Sequence, residues 1–80
     1  MPVVLRIGGF AFSIYPGDHE PPHVHVRYAG AKVIVTIETG EVRRNRGMKK
    51  QDVTEAKRLV HAAREDLLLA WTGLRQAQER

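Results

Sequence analysis

Eighty residues leave room for one hydrophobic core and no second domain. With 42% hydrophobic and 28% charged residues the chain has the composition of a folded globular domain, and with no cysteine it has neither disulfides nor thiolate metal ligands. The net charge of +4 inclines it mildly toward polyanions, no apolar run approaches the ~20 residues of a membrane span, and the start lacks the layout of a secretory leader, so a cytoplasmic location is expected.

The chain opens with two β-prone segments, residues 3–7 (Val-Val-Leu-Arg-Ile) and 10–15 (Phe-Ala-Phe-Ser-Ile-Tyr), separated by Gly8-Gly9. Two glycines between alternating runs predict a two-residue hairpin, because the primed turns that match strand twist need positive φ. Val3, Leu5 and Ile7 are expected on one face with Phe10, Phe12 and Ile14, and Arg6, Ser13 and Tyr15 on the other. Pro16-Gly17-Asp18 reads as a turn that opens a loop running to Pro22.

The next stretch, His19-Glu20-Pro21-Pro22-His23-Val24-His25-Val26-Arg27, contains three of the four histidines. Its polar–apolar alternation after the prolines predicts a strand over 23–28 with one buried and one open face. Val24, Val26 and Tyr28 then point one way, and His23, His25 and Arg27 the other. The two imidazoles are expected about 6.6 Å apart along the strand. Pro21-Pro22 removes two backbone donors, so the strand should begin just after them.

Ala29-Gly30 turns this strand into residues 31–37, where Val33, Val35 and Ile37 continue the core set and Lys32, Ile34, Thr36 and Glu38 look outward. Thr39-Gly40 is a further turn, and residues 41–43 add at most a short edge strand. The segment Arg43-Arg44-Asn45-Arg46-Gly47-Met48-Lys49-Lys50 is densely basic and reads as the connection from sheet to helix. From about Lys50 to Gln78 the period changes to steps of three and four: Val53, Ala56, Val60, Ala63, Leu67, Trp71 and Leu74 form one stripe. Asp52 suits the positive end of that helix, and Arg75 and Arg80 the other. Gly73 costs its last turns about 1 kcal/mol relative to Ala, so the end is expected to fray.

These elements predict an α+β fold: a two-layer domain, an antiparallel β-meander of four to five strands followed by one long C-terminal amphipathic helix packed on one sheet face. The other face is left open, and it displays Arg6, Ser13, Tyr15, His23, His25, Arg27 and Thr36.

Four pieces of the sequence carry a resemblance: Leu5-Arg6-Ile7-Gly8-Gly9-Phe10, the block from His19 to Val26, Asn45-Arg46-Gly47, and Leu67-Leu68-Leu69-Ala70-Trp71. Together they resemble the small bacterial family catalogued as domain of unknown function 4160. The likeness spans nearly the whole chain, and the His-x-Pro-Pro-His-x-His-Val block makes it specific. It implies no established activity. Genes of this family often stand beside those of domain of unknown function 2442, an arrangement similar to a toxin–antitoxin operon, so the resemblance implies a cognate small protein partner. This chain departs from the family pattern at the helix start, where Lys49-Lys50 replaces a common Ser-Pro, which weakens the cap and makes the junction more basic.

Three readings of the open face follow from its residue types. His-x-His on one strand, with His19 four residues before and Glu20 or Asp18 as an oxygen donor, is plausible metal-ligand spacing, although Arg27 on the same face opposes a cation. Alternatively, His23 and His25 act as the acid and base of a metal-independent endoribonuclease, with Arg6 and Arg27 on the phosphate, Tyr15 assisting, and the Arg43–Lys50 run, Arg44 and Arg46 included, tracking the backbone. The third reading is a binding module without chemistry, taking single-stranded RNA, an acidic protein partner or a second copy of the chain. The sequence reading favours RNA engagement through catalytic His23 and His25 and binding residues Arg6, Tyr15, His19, Arg27, Arg44 and Arg46. It assigns no metal and no cofactor. Trp71 is expected in the core, and His61 on a solvated helix face.

Overall fold

The computed structural model describes residues 3–79, with side chains as far as Leu74. Five strands form one antiparallel sheet in the order of the sequence: β1 (Val3–Ile7), β2 (Phe10–Ser13), β3 (His23–Tyr28), β4 (Ala31–Thr36) and β5 (Val42–Arg46). Two helices follow, α1 (Lys50–Ala62) and α2 (Arg64–Glu79). None of the described helices is long and apolar enough to cross a membrane.

The turn chemistry sets the register. Gly8 and Gly9 both have positive φ (52° and 84°), as the two glycines predict, and Ala29 and Gly30 (51° and 80°) take the same primed-turn backbone. The second hairpin pairs Tyr28 with Ala31, Arg27 with Lys32 and every residue back to His23 with Thr36. The first is irregular between Val3 and Leu5. Val3 therefore sits opposite Ser13, and Val4, not Val3, packs with Leu5 and Ile7 against the core. A one-residue bulge moves a side chain to the opposite face, and alternation read from sequence cannot foresee it.

Phe12, Ile14, Val24, Val26, Val33, Val35 and Ile37 are all but inaccessible, and Ala56, Leu59, Val60, Ala63, Leu67 and Trp71 join them in one buried cluster. Trp71 is core, as its place in the stripe predicts.

Three expectations are corrected. The single long helix is two helices, which meet at Ala63 (φ −100°, ψ 16°). Leu67 and Trp71 of α2 share one buried cluster with Ala56 and Val60 of α1. Neither Gly nor Pro stands at the break, so nothing in the local sequence announces it. Secondly, Arg44 and Arg46 belong to strand β5 and not to a connecting loop. Asn45 ends that strand with a two-point clasp, accepting the Met48 N–H on Oδ1 (2.8 Å) and donating Nδ2–H to the Met48 carbonyl (3.1 Å), around Gly47 at φ 81°. Thirdly, the polar sheet face is not open throughout, since Ser13 and Thr36 are buried. Lys49 is the N-cap of α1 and makes no side-chain cap bond, as the departure from Ser-Pro predicts. The backbone of α2 continues through Gly73 to Glu79. The expected part of Arg75 and Arg80 at its end lies outside the described side chains.

Candidate functional site

The site is built from one turn and one strand. Pro16 pre-sets a tight turn after Tyr15, and the Asp18 N–H closes it on the Tyr15 carbonyl at 3.0 Å. Asp18 Oδ2 in turn accepts a long bond from the Tyr15 backbone N–H (3.4 Å). On β3 the pleat puts His23 and His25 on one side. Both rings direct Nε2 at that same carboxylate oxygen, at 3.3 Å from His23 and 3.4 Å from His25. The three atoms lie within 4.8 Å of one another.

The second nitrogen of each ring meets a different environment. His23 Nδ1 is 3.0 Å from the Pro21 carbonyl oxygen. A carbonyl only accepts, so Nδ1 carries a hydrogen and, in a neutral ring, Nε2 presents a lone pair to Asp18. Both nitrogens of His25 are buried and neither makes a well-aligned hydrogen bond, the contact to Asp18 being long. Burial holds the His25 pKa below its ordinary 6.5; the Asp18 charge opposes this, and Lys32 and His23 reinforce it.

Two aromatic rings brace the pair. Tyr15 lies edge-on against His25 with centroids 4.7 Å apart, so it is engaged in holding that ring. Trp71, from α2, lies 5.3 Å from the His23 ring. Ser13 and Thr36, the strand partners of His25 and His23, are themselves buried. His19 lies outside the three-atom cluster. With Gly17, Glu20, Arg43 and Arg44 it lines a shallow depression beside Asp18 and His23.

Beyond the histidines the polar face is basic. The register places Arg6, Ala11, Arg27, Lys32 and Arg46 in one row that runs across all five strands. Arg6, Arg27 and Arg46 are exposed, Lys32 is half-buried, and none of the four makes an ion pair among the described residues. The adjacent row holds Ser13, His25, Ile34 and Arg44.

The structure therefore brings together His23 and His25 with Tyr15, and separately places Arg6, Arg27 and Arg46 in one row; Arg44 stands in the His25 row and lines the depression beside His23. Sequence reasoning left Lys32 as a merely outward residue. A two-residue turn at Ala29-Gly30 already implies that Lys32 faces Arg27, so that signal was present. The contact of Trp71 with His23 had no signal, since a stripe residue on a helix says nothing about what its ring meets.

The family described as Domain of unknown function (DUF4160) matches residues 9–72. The chain belongs to this family. No curated protein and no solved structure matches it. The DUF4160 match takes in Asp18, His23, His25, Trp71 and the basic row from Arg27 to Arg46, and leaves Arg6 outside.

Proposed function

We propose that this DUF4160 protein binds single-stranded RNA along the basic row of its polar sheet face. One observation carries the reading: Arg27, Lys32 and Arg46 are direct cross-strand partners on three adjacent strands, with Arg6 two strands further along the same row. Like charges directly opposite one another destabilise a sheet, and no acidic residue stands in the row to offset them. An arrangement that costs stability and leaves guanidinium groups in solvent suits a polyanion. Guanidinium groups pair with phosphate through their fork of donors and stack on exposed bases. A face about 19 Å wide between Arg6 and Arg46 suits an open strand better than a duplex, whose grooves take a helix or a β-ribbon.

The reading rests on a two-layer arrangement in which the helices lie against the Phe12–Val26–Val33 face. Its support is that Ala56, Val60, Leu67 and Trp71 share one buried cluster with those residues while Arg27, Arg44 and Arg46 stay exposed.

We assign binding rather than metal-free cleavage. A base and an acid that cleave RNA must flank the phosphate, whereas His23 and His25 converge on one oxygen of Asp18. Tyr15 lies against His25 and is not a free stacking platform.

The test is fluorescence anisotropy with a labelled single-stranded RNA, at several salt concentrations and with chelator present. Binding is expected to fall steeply with salt, each phosphate contact contributing about 0.7 to the logarithmic slope. Arg27→Ala/Arg46→Ala should weaken it and flatten the slope, with the RNA recovered intact. Salt-insensitive binding, or binding unchanged in the double variant, would sink the proposal. An acidic protein captured on the same residues while RNA is ignored would replace it.

A further inference from the structure

We propose that Asp18, His23 and His25 form a site for one divalent cation of the zinc class, held by Asp18 Oδ2 and the two histidine Nε2 atoms. The inference stands on the geometry of these three atoms and is independent of RNA binding.

The distances between the prospective ligand atoms carry it. Two N or O ligands about 2.1 Å from a tetrahedral ion are about 3.4 Å from each other. Asp18 Oδ2 lies 3.3 Å from His23 Nε2 and 3.4 Å from His25 Nε2, so two edges of such a tetrahedron are already formed. An octahedral ion at that radius would need edges near 3.0 Å, a poorer match.

Ring orientation is the second, independent observation. Histidines that bind a metal through Nε2 commonly donate Nδ1–H to a carbonyl or carboxylate, which fixes the tautomer and aims the lone pair. His23 does this with the Pro21 carbonyl. In the neutral ring its Nε2 lone pair then faces the lone pairs of Asp18 at 3.3 Å, a repulsive meeting that a cation between them turns into attraction. His25 directs a second buried Nε2, with no well-aligned hydrogen bond of its own, at the same oxygen. Tyr15 against one ring and Trp71 against the other hold both in place.

Two imidazoles and one carboxylate suit zinc and its first-row neighbours; calcium and magnesium require six or more oxygens, and soft ions prefer thiolates. Three protein ligands leave a fourth position, and the depression lined by His19, Glu20, Arg43 and Arg44 adjoins two of the three, Asp18 and His23. One carboxylate leaves the loaded site positive, and the two arginines add to this. An anionic oxygen therefore suits the fourth position, which answers the objection that nearby guanidinium groups oppose a cation.

The test uses chelator-treated full-length protein, titrated with Zn²⁺ by calorimetry and with Co²⁺ by visible absorption. One equivalent should bind, and cobalt should give the intense bands of a four-coordinate ion. Asp18→Asn, His23→Ala and His25→Ala should each weaken zinc by about 100-fold or more, exceeding the effect of losing an outer partner. His61→Ala, on the exposed face of α1, should leave it unchanged. Circular dichroism checks the fold of every variant, and the isosteric Asp18→Asn decides the matter if a histidine variant does not fold. No saturable zinc binding, binding undiminished by Asp18→Asn, or the weak bands of six-coordinate cobalt would overturn the proposal.

Discussion

The indole of Trp71, contributed by α2, lies against the imidazole of His23 at the start of β3, with ring centroids 5.3 Å apart. The same indole is 3% exposed and belongs to the buried cluster, so one side chain joins the core to the histidine site. Truncation should be felt at both. Trp71→Ala is expected to cost about 3–5 kcal/mol in denaturant unfolding, while Trp71→Phe, which keeps a ring against His23, should cost clearly less. Equal losses in the two variants would show that a ring retained at this position contributes nothing.

The basic row predicts a conflict between stability and binding. Lys32 stands between Arg27 and Arg46 on neighbouring strands. Lys32→Glu exchanges two repulsive cross-strand pairs for attractive ones and should raise stability by up to about 1 kcal/mol. The same change should reduce RNA affinity more than tenfold. A variant that is both less stable and equally good at binding would contradict the row as a functional surface.

In the metal-free chain His25 predicts an acid sensitivity. Its pKa in the folded state is lowered from 6.5, mainly by burial, so below pH 6.5 the unfolded chain takes up a proton that the folded chain resists. Stability contributed by neutral His25 should be complete above pH 6.5 and decline as the pH falls through the lowered folded value. Urea midpoints measured with chelator from pH 8 to pH 5 check this. His25→Phe should flatten the profile, and a wild-type midpoint that rises toward pH 5 would contradict it.

Asn45 predicts a purely structural effect. Its side chain ties both backbone groups of Met48, which is buried, just before α1 begins. Asn45→Ala removes both bonds and should cost about 1–3 kcal/mol. Asn45→Asp retains the acceptor for the Met48 N–H and should fall between the two. RNA binding and metal binding should be unaffected in either variant once folded.

Much of the architecture was legible along the chain. Strand β3 starts after Pro22 and ends before Ala29-Gly30, because two prolines and a primed turn bound it on either side. The apolar stripe from Ala56 to Trp71 is buried, because a helical period concentrates apolar groups on one side wherever the helix comes to rest. Other features had no local signal. Ala63 has the composition of an ordinary helix residue, yet α1 and α2 part there. The displacement of Val3 from the core depends on a bulge between two strands, and a bulge is a property of the pair.

For the site, the sequence by itself determined which side chains share a face: His23 with His25, and Arg27 beside them, since pleating forces side chains to alternate. It also determined, through the hairpin at Ala29-Gly30, that Lys32 would oppose Arg27. Only the tertiary structure decided that the turn after Tyr15 folds back to put Asp18 between both imidazoles, and that α2 brings Trp71 to His23. Alternation and turn type act over a few residues and can be read in order. The meeting of Asp18 with His25, or of Trp71 with His23, depends on how a loop and a second helix settle on a common core, and that is a balance struck by the whole chain at once.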